Sequence, residues 1–359
     1  MMKNIIEKKE TKSETIVKLG IDAHARGHVV CRQIDGLTPQ PVQRFTEEKL
    51  LTWVAKQVQS GTTIYSCYEA GPCGYGLHRK LEKIGVKNFV VQPQRLDELG
   101  KGVKNDKLDA QRLVQRLDRY VSGNNKAIAI VRIPSKEEEL ARSETREREQ
   151  LKGHRLRAIQ QGNALLLYYG YANMKGWWLP LKWLKICEEV PSSIRELMTP
   201  YLELIDKLTA QDKALVAAIE AKAPRTLPYA LGCYTYEVLR REVGDWNRFN
   251  NRREVGSYTG LCPRERSSGG TRRQGPINKH GNPRVRAALI ELSWRFVNWH
   301  LTYRGTQKYL KRCPEGKATS AMKKKAIVAM ARQLAIDLWR IFTGRITPEE
   351  LGLIMKEHI

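Results

Sequence analysis

Acid is scarce in this sequence. Across 359 residues, 38 Asp and Glu face 63 Lys and Arg, which leaves a formal charge of +25. Solubility alone needs far less, so the excess points to a polyanionic partner, and nucleic acid is the commonest one. A merely basic or ribosome-associated protein would share the charge but not the motifs below. Apolar runs are also short: none approaches the roughly 20 residues of a membrane span, so no membrane partner is expected. The opening MMKNIIEKKETKSE is charged, with no apolar core of a signal peptide. Cysteine is sparse and unpaired in pattern. The seven (31, 67, 73, 187, 233, 262, 313) form no CxxC, so they read as reduced thiols of a cytoplasmic protein rather than a disulfide framework or zinc site.

One stretch stands out against this background. Arg264 to Arg286 carries seven Lys/Arg against one Glu, two adjacent serines, several glycines and two prolines, with apolar segments on either side. That profile predicts a functional loop held between rigid supports. Arg264, Arg266, Arg272, Arg273, Lys279, Arg284 and Arg286 would draw in phosphates, with His280 as a turn residue or phosphate contact. A serine among them, Ser268 or its neighbour Ser267, is placed to attack a phosphodiester. A serine hydroxyl needs deprotonation or a metal to do so, and the loop holds no obvious base.

The first third alternates strand and helix. IVKLGID (16–22) and GHVVCRQI (27–34) read as a hairpin, joined by a short HARG connection. TEEKLLTWVAKQVQ (46–59) is a helix with Thr46 as N-cap, and TTIYSCYEAG (62–71) a strand ending on Glu69. A second helix closes at Gly85, a further strand stops at Pro93, and DKLDAQRLVQRLDRY (106–120) is a helix with acids at its start. This pattern predicts an α/β domain with a mostly parallel sheet. Asp22 and Glu69 end strands, where open α/β sheets form their ligand crevice. Asp106 and Asp109 share one helical face. Four carboxylates gathered there would repel one another unless cations intervened, and oxygen donors suit Mg²⁺ or Mn²⁺. Each acid alone reads more simply as a helix-start or turn residue, and it is the set in this order that is specific.

The middle of the chain reads as helix. A charged segment begins at Pro134-Ser135, an aromatic stretch contains Trp177 and Trp178, and residues 192–224 form a long helical region with a break expected near Pro200. The aromatics fit core or interface packing better than base stacking. Two long helices around an aromatic turn suggest a hairpin that joins protomers. The last third is mainly helical around the basic loop. It closes with an amphipathic helix from Ala318 to Phe342, where Lys323, Lys324 and Lys325 would track a nucleic-acid backbone. The expected domains are residues 1–125, 126–226 and 227–359.

GID (20–22), YEAG (68–71) and NDKLDAQRL (105–113) resemble the four-acid, RuvC-like nuclease domain of the IS-one-ten family of insertion-sequence transposases, in its IS-eleven-eleven branch. GLCP (260–263), a serine before glycine at 268–269 and KHGNPRVRAAL (279–289) are similar to that family's second conserved block. LPYALGCYTYEVLRREVG (227–244) keeps the length of the family's helix-hairpin-helix segment without its repeated glycines. The resemblance implies an RuvC-like (RNase H-like) α/β domain, a helical linker and a mainly α transposase domain. It makes Asp22, Glu69, Asp106 and Asp109 the metal ligands and Ser268 the nucleophile. It further implies a recombinase of target and donor DNA guided by a structured noncoding RNA, a phosphoserine-linked DNA end, and a dimer or tetramer whose two sites combine between protomers. The resemblance carries a cytoplasmic location, at the nucleoid when active. The residues alone leave two other readings open: a junction nuclease using the four acids and water, and a non-catalytic nucleic-acid-binding protein with structural acids.

Overall fold

The computed structural model describes residues 15–93, 106–172, 174–268 and 271–357, with no side-chain description for 266–268, 271 and 272. Asp97 and Glu98, the nearest rival acids to Asp106 and Asp109 but outside the matching D-x-x-D pattern, and Gly269 therefore lie outside the described residues, as do the side chains of Ser267, Ser268, Arg266 and Arg272. The chain divides into two compact units, Met1–Ile133 and Pro134–Ile359.

The first unit is a five-stranded sheet with helices on both faces. Strands β1 (Ile16–His24), β2 (Gly27–Ile34) and β3 (Gln43–Phe45) lead into helix α1 (Glu47–Gln59). Then follow β4 (Thr63–Glu69), α2 (Gly76–Lys83), β5 (Lys87–Val91) and α3 (Asp106–Val121). The strand order is β3-β2-β1-β4-β5. The β1–β2 and β2–β3 pairs are antiparallel, whereas β4 runs parallel to both β1 and β5. The expected opening hairpin, the Thr46 cap and the parallel crossovers are present, with Thr46 Oγ1 accepting the Lys49 amide, but the sheet is mixed rather than mostly parallel because the short edge strand β3 adds a second antiparallel pair.

Strand alternation divides the core. Val17, Leu19 and Ile21 of β1 pack with Leu50 and Val54 of α1 and Leu77 and Leu81 of α2. The opposite face receives α3: Cys67 and Val91 meet Leu113 and Leu117, while Val29 and Cys31 meet Ala110 and Val114. All described cysteines are free thiols, and Cys31 and Cys67 act as small core residues.

The second unit begins with α4 (Lys136–Tyr168), which starts with a capping box: Ser135 and Glu138 each bond the other's backbone amide. It continues through α5 (Pro180–Glu189) and α6 (Ser192–Glu220). Helices α4 and α6 pack on each other around Ala158, Ile159, Ile194, Met198 and the fully buried Trp177. Trp177 is thus core, as its setting suggested, and Gly162 leaves room for its ring. The expected break near Pro200 does not occur: α6 runs through it. Pro200 lies on the exposed face, so the carbonyl four residues earlier can turn to water in place of its missing donor.

Next come β6 (Thr226–Pro228), α7 (Cys233–Val243), a 3₁₀ turn (Trp246–Arg248), α8 (Arg252–Thr259), β7 (Pro263–Ser268) and β8 (Thr271–Ile277). The unit ends with α9 (Pro283–Trp299), α10 (Arg304–Arg312), α11 (Ser320–Phe342), a 3₁₀ turn (Glu349–Leu351) and β9 (Met355–Glu357), which pairs with β6. The core joins α7, α8, α9 and α11 through Leu239, Val255, Leu289, Phe296, Ala331 and Leu334. The basic stretch is not an irregular loop. Its first half is the antiparallel hairpin β7–β8, in which Arg266 pairs with Arg273 and Ser268 with Thr271. Alternation of polar and small residues does not mark a strand by hydrophobicity, which is why the sequence suggested a loop.

Candidate functional site

The acids converge because α3 lies close to β1. On β1, Gly20 faces α3, flanked in register by Cys31 on β2 and Cys67 on β4. Gly20 and Cys31 underlie Ala110 and Val114, and Cys67 packs under Leu113, its thiol donating to the Leu113 carbonyl at 3.5 Å. A Cβ on Gly20 would lie 3.1 Å from the Leu113 carbonyl carbon and closer still to the Ala110 oxygen and Val114 nitrogen. Two residues on, Asp22 shares the same face of the strand. Asp106 and Asp109 occupy the first turn of α3, where the helix dipole favours negative charge.

The result is a compact group. His24 Nε2 lies 3.0 Å from Asp22 Oδ2 and 3.8 Å from Asp106 Oδ2, and the ligand atoms of Asp22, His24 and Asp106 lie within 4.8 Å of one another. Burial raises the Asp22 carboxyl above its ordinary value; His24 opposes the shift, and the charges of Asp106 and Asp109 add to it. Asp109 stands outside the closest set, 3.8 Å from Arg112 Nη1. The β1–β4 register ends at Ile21 and Tyr68, so the next step places Glu69 alongside Asp22, half-buried and also outside that set. Of the four acids expected from sequence, then, Asp22 and Asp106 are brought together directly, with Asp109 and Glu69 on the margin.

Sequence reasoning missed His24. The signal was there, since residues at i and i+2 of a strand share a face, but HARG was read as a mere connection. The carboxylates suit Mg²⁺ or Mn²⁺, whereas a ligating His24 imidazole suits Mn²⁺ or another transition metal better than Mg²⁺. Burial first, and the neighbouring Asp106 and Asp109 second, disfavour the charged Asp22 carboxylate, and a cation bound among them would offset both.

The serine hairpin is anchored by the turn that follows it. Gly281 approaches α8 so closely that a Cβ would lie 2.9 Å from the Ser257 carbonyl, and the Gly260 that ends α8 has φ +66°. Asn282 caps α9 by accepting the Arg284 and Val285 amides, and Pro283 occupies the first helical position. Asn282 Nδ2 in turn donates to Glu242 Oε2 at 2.8 Å. The nearly buried Glu242 also accepts from Arg146 of α4, so the turn is tied to the helical hairpin.

The expected phosphate-binding residues separate into two kinds. Arg264, Arg273, Lys279, His280, Lys323, Lys324 and Lys325 are exposed. Arg284 instead bonds Glu149 at 2.9 Å, and Arg286 donates to the Thr259 and Lys279 carbonyls, so both hold the fold together. The KHGNP segment is correspondingly a structural turn, with the His280 amide donating to Asn278 Oδ1 at 3.0 Å.

Comparison with known proteins addresses the C-terminal half most directly. Residues 230–310, from α7 through the hairpin into α10, match the family described as Transposase IS116/IS110/IS902. Over 318 residues the chain is 28% identical to y4rJ of Sinorhizobium fredii, named as a transposase, covering 80% of this chain and 78% of that one. It is 25% identical to the transposase of insertion sequence element IS1328 from Yersinia enterocolitica, over 91% of this chain and 97% of that one. To the transposase of IS1111A from Coxiella burnetii it is 26% identical, over 81% and 83%. Residues 230–310 thus carry the pattern of the IS116/IS110/IS902 transposases, on a chain similar to insertion-sequence transposases along most of its length.

Proposed function

We propose that this chain is a DNA recombinase of an insertion sequence, with an RuvC-like first unit and a serine nucleophile, Ser268, in its second. The observation that carries the reading is the Asp22–His24–Asp106 group, two carboxylates and an imidazole whose ligand atoms lie within 4.8 Å of one another, with the Asp22 carboxyl raised by burial and by neighbouring acids. Asp22, Asp106 and Asp109, with Glu69 beside them, would hold Mg²⁺ or Mn²⁺, which would supply charge stabilisation at a scissile phosphate. In the second unit, Ser268 Oγ attacks phosphorus. One P–O bond forms to serine and one breaks to the leaving sugar oxygen, which takes up a proton while the serine proton passes to a base or to solvent. Exposed Arg264, Arg273 and Lys279 steady the phosphates flanking the reacting one.

The two groups belong to different units of one chain, so the reading asks for an assembled complex in which both serve one phosphate. The tip of the α4–α6 hairpin supports assembly as a dimer or tetramer: Tyr168 and Leu181 are 81% and 79% exposed there. Guidance by a structured noncoding RNA rests on the family resemblance together with the charge of +25. Recombination between donor and target plasmids tests the whole. Wild-type protein should recombine them in Mg²⁺, and neither Ser268→Ala nor Asp106→Ala should. Cleavage of branched DNA by Ser268→Ala would transfer the activity to a water nucleophile and a junction nuclease.

A further inference from the structure

The second unit contains a basic groove of about 1460 Å³, of which the sequence reading anticipated only Lys324 and Lys325. Its walls are the start of α8, the base of the β7–β8 hairpin and one face of α11. Lys324 and Lys325 line its mouth with Arg252 and Arg253; Arg332, Arg340 and Arg345 continue along α11 and just beyond. Among the described residues no carboxylate lines the groove, and none of these seven cations has a carboxylate partner. That is unusual in a unit where Arg146, Arg148, Arg240, Arg241 and Arg284 are all paired.

Two buried donors point the same way. Arg332 Nε and Trp339 Nε1 are shielded from solvent and have no hydrogen-bond partner, although both residues line the groove and Trp339 is only 4% exposed. A buried donor without a partner costs stability, and a water or ligand group bound in the groove would recover it. Gly256 makes room for Arg332: a Cβ there would lie 3.1 Å from its Nε. Arg345 stacks over the Trp339 ring at 4.2 Å, which holds its guanidinium at the groove edge. Leu261, Val328 and Ile336 form an apolar floor between the cations.

We propose that this groove is a track for the sugar–phosphate backbone of a DNA strand. The cations hold successive phosphates, and the apolar floor takes the sugars and bases. The inference rests on the recombinase reading, because the hairpin whose base walls the groove is the one that carries Ser267 and Ser268. From Pro263 to Ser268 is five residue steps, about 17 Å at the usual strand rise, or roughly five nucleotides at the 3.4 Å spacing of a stacked strand. The groove would therefore grip the strand some five nucleotides from the phosphate that reacts.

The test uses the full-length protein and a labelled 20-nucleotide single strand of mixed sequence, titrated by fluorescence anisotropy from 0.1 to 1 M salt. Each lost phosphate contact removes about 0.7 from the salt slope of single-strand binding. The R252Q/R253Q/R345Q variant should thus lose about 2 units of slope, which is roughly 100-fold in affinity at 0.1 M salt if affinities converge near 1 M. K152Q/K207Q/K213Q removes the same charge from exposed positions of α4 and α6 and should leave the slope unchanged. Phenylglyoxal footprinting of wild-type protein gives an independent readout: the DNA should protect Arg252, Arg253 and Arg345. An unchanged slope in the groove variant, an equal loss in the control variant, or arginines unprotected by DNA each overturns the proposal. Protection by an RNA of the same sequence but not by the DNA would overturn it too. The recombinase reading fails separately, through absence of a serine–DNA adduct in wild-type protein, which does not affect the salt slope.

Discussion

The closeness of α3 to β1 makes Gly20→Ala the sharpest single perturbation of the acid cluster. The added methyl meets backbone atoms of Ala110, Leu113 and Val114, which cannot swing aside as a side chain would. Helix α3 must retreat from the sheet by about 1 Å to restore ordinary contact, and overpacking of this kind costs about 1–3 kcal/mol. The first turn of α3 carries Asp106 and Asp109, so the retreat widens the Asp22–His24–Asp106 group directly. Misplacing reacting groups by about 1 Å costs on the order of 100-fold in rate. Metal-dependent strand cleavage should therefore fall by about two orders of magnitude while thermal unfolding shows a folded protein of slightly lower Tm. Gly76→Ala is the control: its Cβ meets nothing within 4 Å and its φ is not positive, so stability and cleavage should both be kept. Wild-type cleavage and wild-type Mn²⁺ affinity in folded Gly20→Ala would refute the claim that this contact positions the acids.

Three further outcomes follow from particular residues. The Asp22 carboxyl is raised in the folded state, chiefly by burial, so the folded chain binds more protons than the unfolded one between 3.8 and the raised value, and stability falls as pH rises through that window. Asp22→Asn should accordingly unfold at a higher temperature than wild type at pH 7 without metal, with the difference shrinking as pH approaches 3.8; an equal or lower Tm at pH 7 would contradict the burial argument. Glu237, wholly buried and bonded to Arg240 and Arg241, should lose about 1.5–3 kcal/mol on change to Gln in urea unfolding, because Arg241 keeps Glu144 but loses the second of its two carboxylate partners at a buried site. Tyr168→Ser with Leu181→Ser should shift the protein toward monomer in light scattering without lowering Tm, whereas unchanged mass would remove the hairpin tip from the assembly surface.

The first unit was largely legible because its signals are local and consistent. β-branched runs, the Thr46 cap, Gly85 and the spacing of Asp106 and Asp109 all pointed to the elements found. The approach of the acids depends on small residues, Gly20, Cys31 and Cys67, aligned across three strands. Register sets that alignment, so no single segment reveals it. His24 was readable from strand alternation, yet it sits at a hairpin end where alternation commonly stops. In the second unit, the hairpin β7–β8 was hidden because its residues are polar and it gains its place from the turn at Gly281 and the Asn282 cap. Arg284 and Arg286 looked like their exposed neighbours in sequence, and only their partners Glu149, Thr259 and Lys279 distinguish them. The groove cations come from segments some 70 residues apart, between Arg252 and Lys324, and so form no motif.

The serine step is tested most directly by isolating the bond it makes. Wild-type protein is quenched in denaturant while acting on its DNA substrate, then digested with nuclease and protease, and the peptide spanning Ser267 and Ser268 is sequenced by mass spectrometry. The account predicts a nucleotide linked through phosphate to Ser268, absent from Ser268→Ala and absent without Mg²⁺ or Mn²⁺. Recombination by Ser268→Ala with no adduct on either serine would contradict it.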